Sequence, residues 1–214
     1  MKKIIIAIDS FKGCLTSAEA GKAAEKGIKS INPSCHTSVI PIADGGEGLL
    51  DVLITATKGK YITLSAHGPL MKMAKTHYGL SGNGRTAIIE MAAISGLPLV
   101  PIEQRNPMLT TTFGTGELIK DALNKGCRNF IIGIGGSATN DAGLGMLQAL
   151  GFRFLDKSGH TLGTGGQIME AVANIDTSGI HPALRETHFM VACDVANPFY
   201  GPDGAAYILS LIHI

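Results

Sequence analysis

The chain has 214 residues, 45% of them hydrophobic and 16% charged, which is enough apolar content for a sizeable core and too little charge for a disordered chain. Its 18 Lys and Arg against 17 Asp and Glu give a net charge of +1 with no basic run, so neither nucleic acid nor an acidic membrane surface is an expected partner. Cys14, Cys35, Cys127 and Cys193 are scattered without CxxC spacing, which points to reduced thiols in a cytoplasmic protein rather than a disulfide framework or a zinc site.

Strand and helix patterns alternate along the chain. KIIIAI (3–8) is a continuous β-branched run, the pattern of a strand covered on both faces; it is broken at once by Asp9 and is too short for an export signal or a membrane span. Thr16 and Glu19 form a capping box, and the helix behind them sets Ala20, Ala23, Ala24, Gly27, Ile28 and Ile31 on one face. HTSVIPI (36–42) predicts a second strand. Leu49, Leu50, Val52, Leu53 and Ile54 predict a helix behind ADGGEG. From 60 to 91 the texture changes: KYITLSAHG, KMAKTHYGL and RTAIIEMA read as consecutive antiparallel strands with Gly-Pro and Gly-Asn-Gly turns, the opening of a second lobe. The proline-bearing stretch 97–107 reads as a linker or lid. GELIKDALNKG predicts an amphipathic helix on Leu118, Ile119, Ala122 and Leu123, followed by the strand NFIIGIG (129–135) and a helix over roughly 139–151. IMEAVANI reads as a helix opened by the glycines at 163–166, and HFMVACDV (188–195) as another buried strand. The expected fold is α/β: a doubly wound, mainly parallel sheet of the Rossmann or flavodoxin-like kind with a second α/β domain, divided into 1–70 and 71–208.

Four glycine- or acid-rich segments follow strand patterns, where open α/β sheets bind ligands. In GIGGSATNDAG (133–143), Gly135 and Gly136 let backbone N–H groups approach an anion. Ser137 and Thr139 offer hydroxyls to a phosphate or cap the following helix, with Asn140 and Asp141 beside them. The order of glycines matches neither a Walker A loop nor GxGxxG, and a tight turn with a capped helix explains the same residues. In DSFKG (9–13), Asp9 could ligate a metal or position a hydroxyl, with Ser10 nearby, and Lys12 could neutralise a transferring phosphoryl group; an exposed turn with a solvated Lys is the plain alternative. In CDVANPFYGPDG (193–204), Asp194 and Asn197 have the oxygen donors that suit Mg²⁺, though Asn-Pro also starts turns. ADGGEG (43–48) sets Asp44 and Glu47 among glycines and could hold a metal, take a proton or turn the chain. The seven histidines show no HxxxH or HExxH spacing, against a metal-hydrolase site.

Taken together, IAIDSFKGCLTSAEA, IPIADGGEG, IEMAAISGL, TTTFGTGELI, GIGGSATNDAGLGMLQALGF and CDVANPFYGPDGAA resemble the bacterial glycerate kinases of the glycerate 2-kinase type, in that family's order, from residue 4 to about 208. The resemblance implies two α/β domains with a cleft between them and phosphoryl transfer from ATP to D-glycerate with Mg²⁺, giving 2-phosphoglycerate, or 3-phosphoglycerate as the alternative product. On that footing Asp44 is the first choice for base or Mg²⁺ ligand, with Gly45 and Gly46 as backbone N–H donors and Glu47 orienting the loop or serving in place of Asp44. Lys12 with Ser10 is a phosphoryl or carboxylate clamp, Asp9 a further substrate contact, and Asp194, with Asn197, a second metal or base candidate. Gly135, Gly136, Ser137, Thr139, Asn140 and Asp141 meet the nucleotide phosphates. A kinase for another small hydroxy acid, or a non-catalytic sensor of nucleotide or hydroxy acid, are the rival readings.

Family members continue well past residue 208, whereas LSLIHI (209–214) does not continue the family's text. One codon choice for these six residues matches the mosaic end of a transposase sequencing adapter. The tail is therefore expected to be adapter-derived, and the 214-residue polypeptide to be an inactive, poorly folded piece of a kinase. The oligomeric state is not legible in the sequence.

Overall fold

The computed structural model describes residues 3–11 and 14–205; Lys12 and the LSLIHI tail lie outside the described residues. A first layer is small. Strand β1 (Lys3–Ile6) pairs in parallel with β2 (His36–Val39), and α1 (Ser17–Ile31) connects them. The capping box forms as expected, with Thr16 at the N-cap and Glu19 answering it. The buried face of α1 is Ser17, Ala20 and Gly21, not the stripe that continues to Ile31, which is 89% exposed. Gly21 is the reason: a Cβ there would lie 2.4 Å from Val39 Cγ1, so α1 rests on β2 through its small residues. Strand β1 is not covered on both faces either, since Ile5 is 59% exposed beside the single neighbour strand present among the described residues. Strand β2 stops before Pro41, which has no N–H to give a ladder.

The main sheet has five strands in the order β3–β4–β5–β6–β9 and is mixed rather than mainly parallel. Strands β3 (Lys60–His67), β4 (Met73–Leu80) and β5 (Thr86–Glu90) run antiparallel, because turns at Gly68-Pro69 and Gly82-Asn83-Gly84 are too short for a crossover. Strands β6 (Asn129–Gly133) and β9 (His188–Ala192) continue parallel to β5. Helix α2 (Leu49–Thr57) covers one face, packing Leu50 and Ile54 on Ile88. Helix α4 (Phe113–Asn124) covers the other, with Leu118, Ile119, Ala122 and Leu123 on Ala87, Ile89, Phe130 and Ile132. The alternation of Ile88 and Ile89 to opposite helices is the period of a strand buried on both sides.

Between the main strands lie two short helices, α3 (Ala92–Ser95) and α5 (Leu144–Ala149), and a two-stranded antiparallel sheet of β7 (Arg153–Leu155) and β8 (Asn174–Asp176). The stretch 97–107 is two 3₁₀ turns, and it buries Val100. Residues 166–171 make a 3₁₀ turn rather than an α-helix, because the chain is drawn out again at once to pair: Ala173 N–H bonds the Leu155 carbonyl at 2.8 Å. Strand β9 is not the buried strand its residues suggest. Among the described residues it pairs only with β6, and Met190 is 66% exposed, although Phe189 stacks on Phe130 at 5.0 Å.

Candidate active site

Three of the four loops meet at one end of the main sheet. The cross-strand register sets Glu90, Gly133 and Ala192 side by side at the carboxyl ends of β5, β6 and β9. The ADGGEG loop sits on this row. A Cβ on Gly133 would lie 2.5 Å from the Gly45 carbonyl oxygen, and one on Gly45 would lie 2.8 Å from the Ala192 backbone. A Cβ on Gly135 would lie 2.9 Å from the Gly46 Cα. The glycines of the two loops are therefore used on each other: they bring backbones together, and Gly45 also takes φ +98°, which an L side chain resists.

Within the loop, Asp44 is exposed and its Oδ1 accepts the Gly46 N–H at 2.9 Å, leaving a second carboxylate oxygen for a ligand. Glu47 is exposed and lines a cleft of about 390 Å³ together with Ser10, Glu19, Asp51, His77 and Glu90. Asp9 is half-buried and accepts the Ser10 N–H at 2.6 Å. Ser17 ties the floor together: its hydroxyl donates to the Ile8 carbonyl at 2.6 Å and accepts the Ile42 N–H at 3.0 Å. Asp51 is held by the Tyr61 hydroxyl at 2.6 Å, and this bond to a carboxylate pushes the phenol up to about 12. A cleft with so many carboxylates repels an anion unless a cation stands between them.

Glu90 carries no motif of its own beyond its place in IEMAAISGL, and the sequence reading passed over it. Strand periodicity turns its side chain to the same face as Ile88, under α2. There its carboxylate accepts the Leu50 N–H at 2.7 Å. Helix α2 has no cap of its own, since Gly48 stands at its N-cap at φ +94°. Burial pushes the Glu90 carboxyl above the usual range, and the Leu50 N–H works against that rise. A strand-end acid following two β-branched residues is the signal that could have found it.

The GIGGSATNDAG loop divides in two. Gly135 meets the acid–glycine loop, as above, and Gly136 turns at φ +72° with its carbonyl accepting the Leu97 N–H at 3.0 Å. The rest is spent inward. Ser137 Oγ and Thr139 bond within their own turn, and Thr139 Oγ1 donates to the Thr110 carbonyl at 2.8 Å. Asn140 N–H bonds the Pro107 carbonyl at 3.2 Å. Asp141 is 1% exposed and accepts from Thr111 Oγ1, from Thr112 N–H and hydroxyl, and from the Gly143 and Gly145 N–H groups. One carboxylate thus serves the first turns of both α4 and α5. It also delays the second helix, which starts at Leu144 behind Gly143 at φ +75° instead of near 139.

Asp194 is exposed, and Asn197 sends its Nδ2 toward the Asp203 carbonyl at 3.4 Å, so its oxygen faces elsewhere. Among the described residues no three His, Cys, Asp or Glu side chains gather as a ready metal cage. Mg²⁺ needs no such cage, because it keeps waters and takes one or two carboxylates plus phosphate oxygens. Asp44 and Asp194 flank the Gly45–Ala192 contact, so their donor chemistry fits that ion. No helix of the described residues is long and apolar enough to cross a membrane. Cys14 and Cys193 are exposed, and Cys35 and Cys127 are buried.

Comparison with known proteins follows the same lines. The model of the glycerate kinase family matches residues 4–210. Over 206 residues the chain is 53% identical to glycerate kinase of Bacillus subtilis and 49% identical to glycerate 2-kinase of Escherichia coli, covering 96% of this chain and 54% of each relative. The crystal structure of a putative glycerate kinase 2 from Salmonella typhimurium superposes with a TM-score of 0.87 at 47% identity, covering 98% of this chain and 56% of that one. The chain therefore spans about half the length of the relatives it matches.

Proposed function

The chain belongs to the glycerate kinase family, and from that premise we propose that the complete protein, in the cytoplasm, transfers the γ-phosphoryl group of ATP to D-glycerate and yields 2-phosphoglycerate. The observation that carries this reading is the seating of the acid–glycine loop on the Glu90–Gly133–Ala192 row, beside a cleft of about 390 Å³. That volume suits a three-carbon acid with a terminal phosphate group. In this reading Asp44 accepts the proton of the glycerate hydroxyl as its oxygen bonds to the γ-phosphorus and the bond to the β,γ-bridging oxygen breaks, releasing ADP. Backbone N–H groups of Gly45 and Gly46 orient the acceptor, with Asp9, Ser10 and Glu47 around it. Lys12 neutralises charge on the moving phosphoryl group. Gly135 and Gly136 bring backbone toward the nucleotide phosphates, while Ser137, Thr139, Asn140 and Asp141 hold that loop in shape. Asp194 with Asn197 in support, or Asp44 should Asp194 be the base, would hold Mg²⁺, which would supply charge neutralisation to the phosphates. The same reading gives the complete protein two α/β domains, one of them a doubly wound sheet.

A coupled ADP-release assay with D-glycerate and MgATP tests the reading, run on the 214-residue chain beside a longer version carrying the uninterrupted reading frame. Turnover in the longer protein, lost in Asp44→Asn with the circular dichroism spectrum unchanged, is the expected result. No turnover with D-glycerate in either protein refutes the substrate, and near-normal kcat in Asp44→Asn refutes the role of Asp44.

A further inference from the structure

We propose that Glu90 is the positioning residue of the acid–glycine loop: by gripping the backbone where the loop becomes α2, it fixes where Glu47 and Gly48 line the cleft and how Gly45 and Gly46 lie on the neighbouring strands. This rests on the reading above only in taking that loop as the acceptor site; the grip itself stands on geometry. Glu90 is the last residue of β5, the middle strand of the five, and its backbone is paired with Gly133 of β6. Its Oε1 takes the Leu50 N–H at 2.7 Å. That donor belongs to the joint between loop and helix, where Gly48 at φ +94° offers no side chain of its own. Glycine leaves that joint with the widest conformational freedom of any residue, so an outside anchor is needed to choose one geometry. The anchor is a carboxylate, which binds N–H groups about twice as strongly as a neutral acceptor. The next contact along the row, Gly133 against the Gly45 carbonyl, seats the other end of the loop on the adjacent strand. Loop position is thus referred to β5 and β6, the rigid center of the molecule, rather than to the loop's own exposed acids.

The test is amide hydrogen exchange by NMR on Glu90→Gln, an isosteric variant, with the α4 amides of Leu118 and Ile119 as a control on the fold. Protection at Leu50 should fall at least about tenfold while α4 is unchanged, and in the longer protein kcat for D-glycerate should fall at least about tenfold with circular dichroism unaltered. Glu90→Asp, which keeps the charge but not the reach, should recover part of both. Unchanged protection at Leu50 overturns the proposal, as does protection lost equally in α4, which would make Glu90 a general stability residue. A measurement on the unsubstituted chain needs no variant: the Leu50 amide shift should titrate together with the Glu90 carboxyl carbon, distinguishable from Glu47, Asp51, Glu19 and His77, which face the same cleft. A Leu50 shift that follows any of these instead also overturns it. If the unsubstituted longer protein does not phosphorylate D-glycerate, the kinase reading fails, and the exchange data still decide the role of Glu90.

Discussion

Replacing Asp141 by Asn should cost about 2–5 kcal/mol of folding stability. The carboxylate is buried and takes Thr112 N–H at 2.8 Å, Thr112 Oγ1 at 2.9 Å, Gly143 N–H at 3.1 Å, Gly145 N–H at 3.2 Å and Thr111 Oγ1 at 3.3 Å. Asn offers one acceptor oxygen and turns an NH₂ toward donors that cannot receive it. The two threonine hydroxyls can rotate to other acceptors, but the three backbone N–H groups cannot. Leaving one of them unpaired costs about 1–3 kcal/mol, and the remaining bonds lose their charged partner at roughly 0.5–1 kcal/mol each. The sum is a large share of a typical stability of about 5–15 kcal/mol. Urea unfolding followed by far-ultraviolet circular dichroism measures it: the midpoint should fall with the m value unchanged. A loss under about 1 kcal/mol would refute the reasoning and mean that water or a rearranged turn can replace this carboxylate.

Gly45→Ala should lower the thermal midpoint and abolish D-glycerate turnover in the longer protein, since φ +98° strains an L residue and its Cβ would meet the Ala192 backbone at 2.8 Å; about 2–4 kcal/mol is expected, and wild-type melting would show that the loop does not rest on β9. Gly116→Ala should cost about 1–3 kcal/mol by pushing α4 from α5, because its Cβ would lie 2.2 Å from the Met146 carbonyl oxygen; a thermal melt checks it. Glu90 sets a pH dependence of definite sign. Its folded carboxyl holds its proton above the ordinary value of 4.5, so between that value and the folded one the native state binds more protons than the unfolded state. Stability from this group therefore falls as pH rises through the window, and the loss is complete above it. Urea midpoints measured across pH for the unsubstituted chain and Glu90→Gln should differ by this slope, and a difference of opposite sign refutes it.

Much of this was legible in the residues alone. Local signals were reliable where local physics decides: the capping box of Thr16 and Glu19, the turns at Gly68-Pro69 and Gly82-Asn83-Gly84, and the apolar stripe from Leu118 to Leu123 that buries α4. Strand-end position picked out the loops that do meet, and the motifs in their order named the family that the comparisons then bore out. What sequence patterns could not give was which neighbour each residue would face. HFMVACDV has the composition of a buried strand, yet burial needs elements on both faces, and among the described residues β9 stands at an edge. Thr139 and Asp141 have the chemistry of a phosphate loop, yet their partners are Thr110, Thr111 and Thr112, some thirty residues back along the chain. Glu90 looked like an ordinary strand end until the register placed it beside Gly133 and under α2. Periodicity and capping are settled within a turn or two of the chain, so the sequence by itself determined the elements and the family. A carboxylate acts on whatever tertiary packing sets within about 3 Å of it, so only the folded structure decided what Glu90 and Asp141 hold.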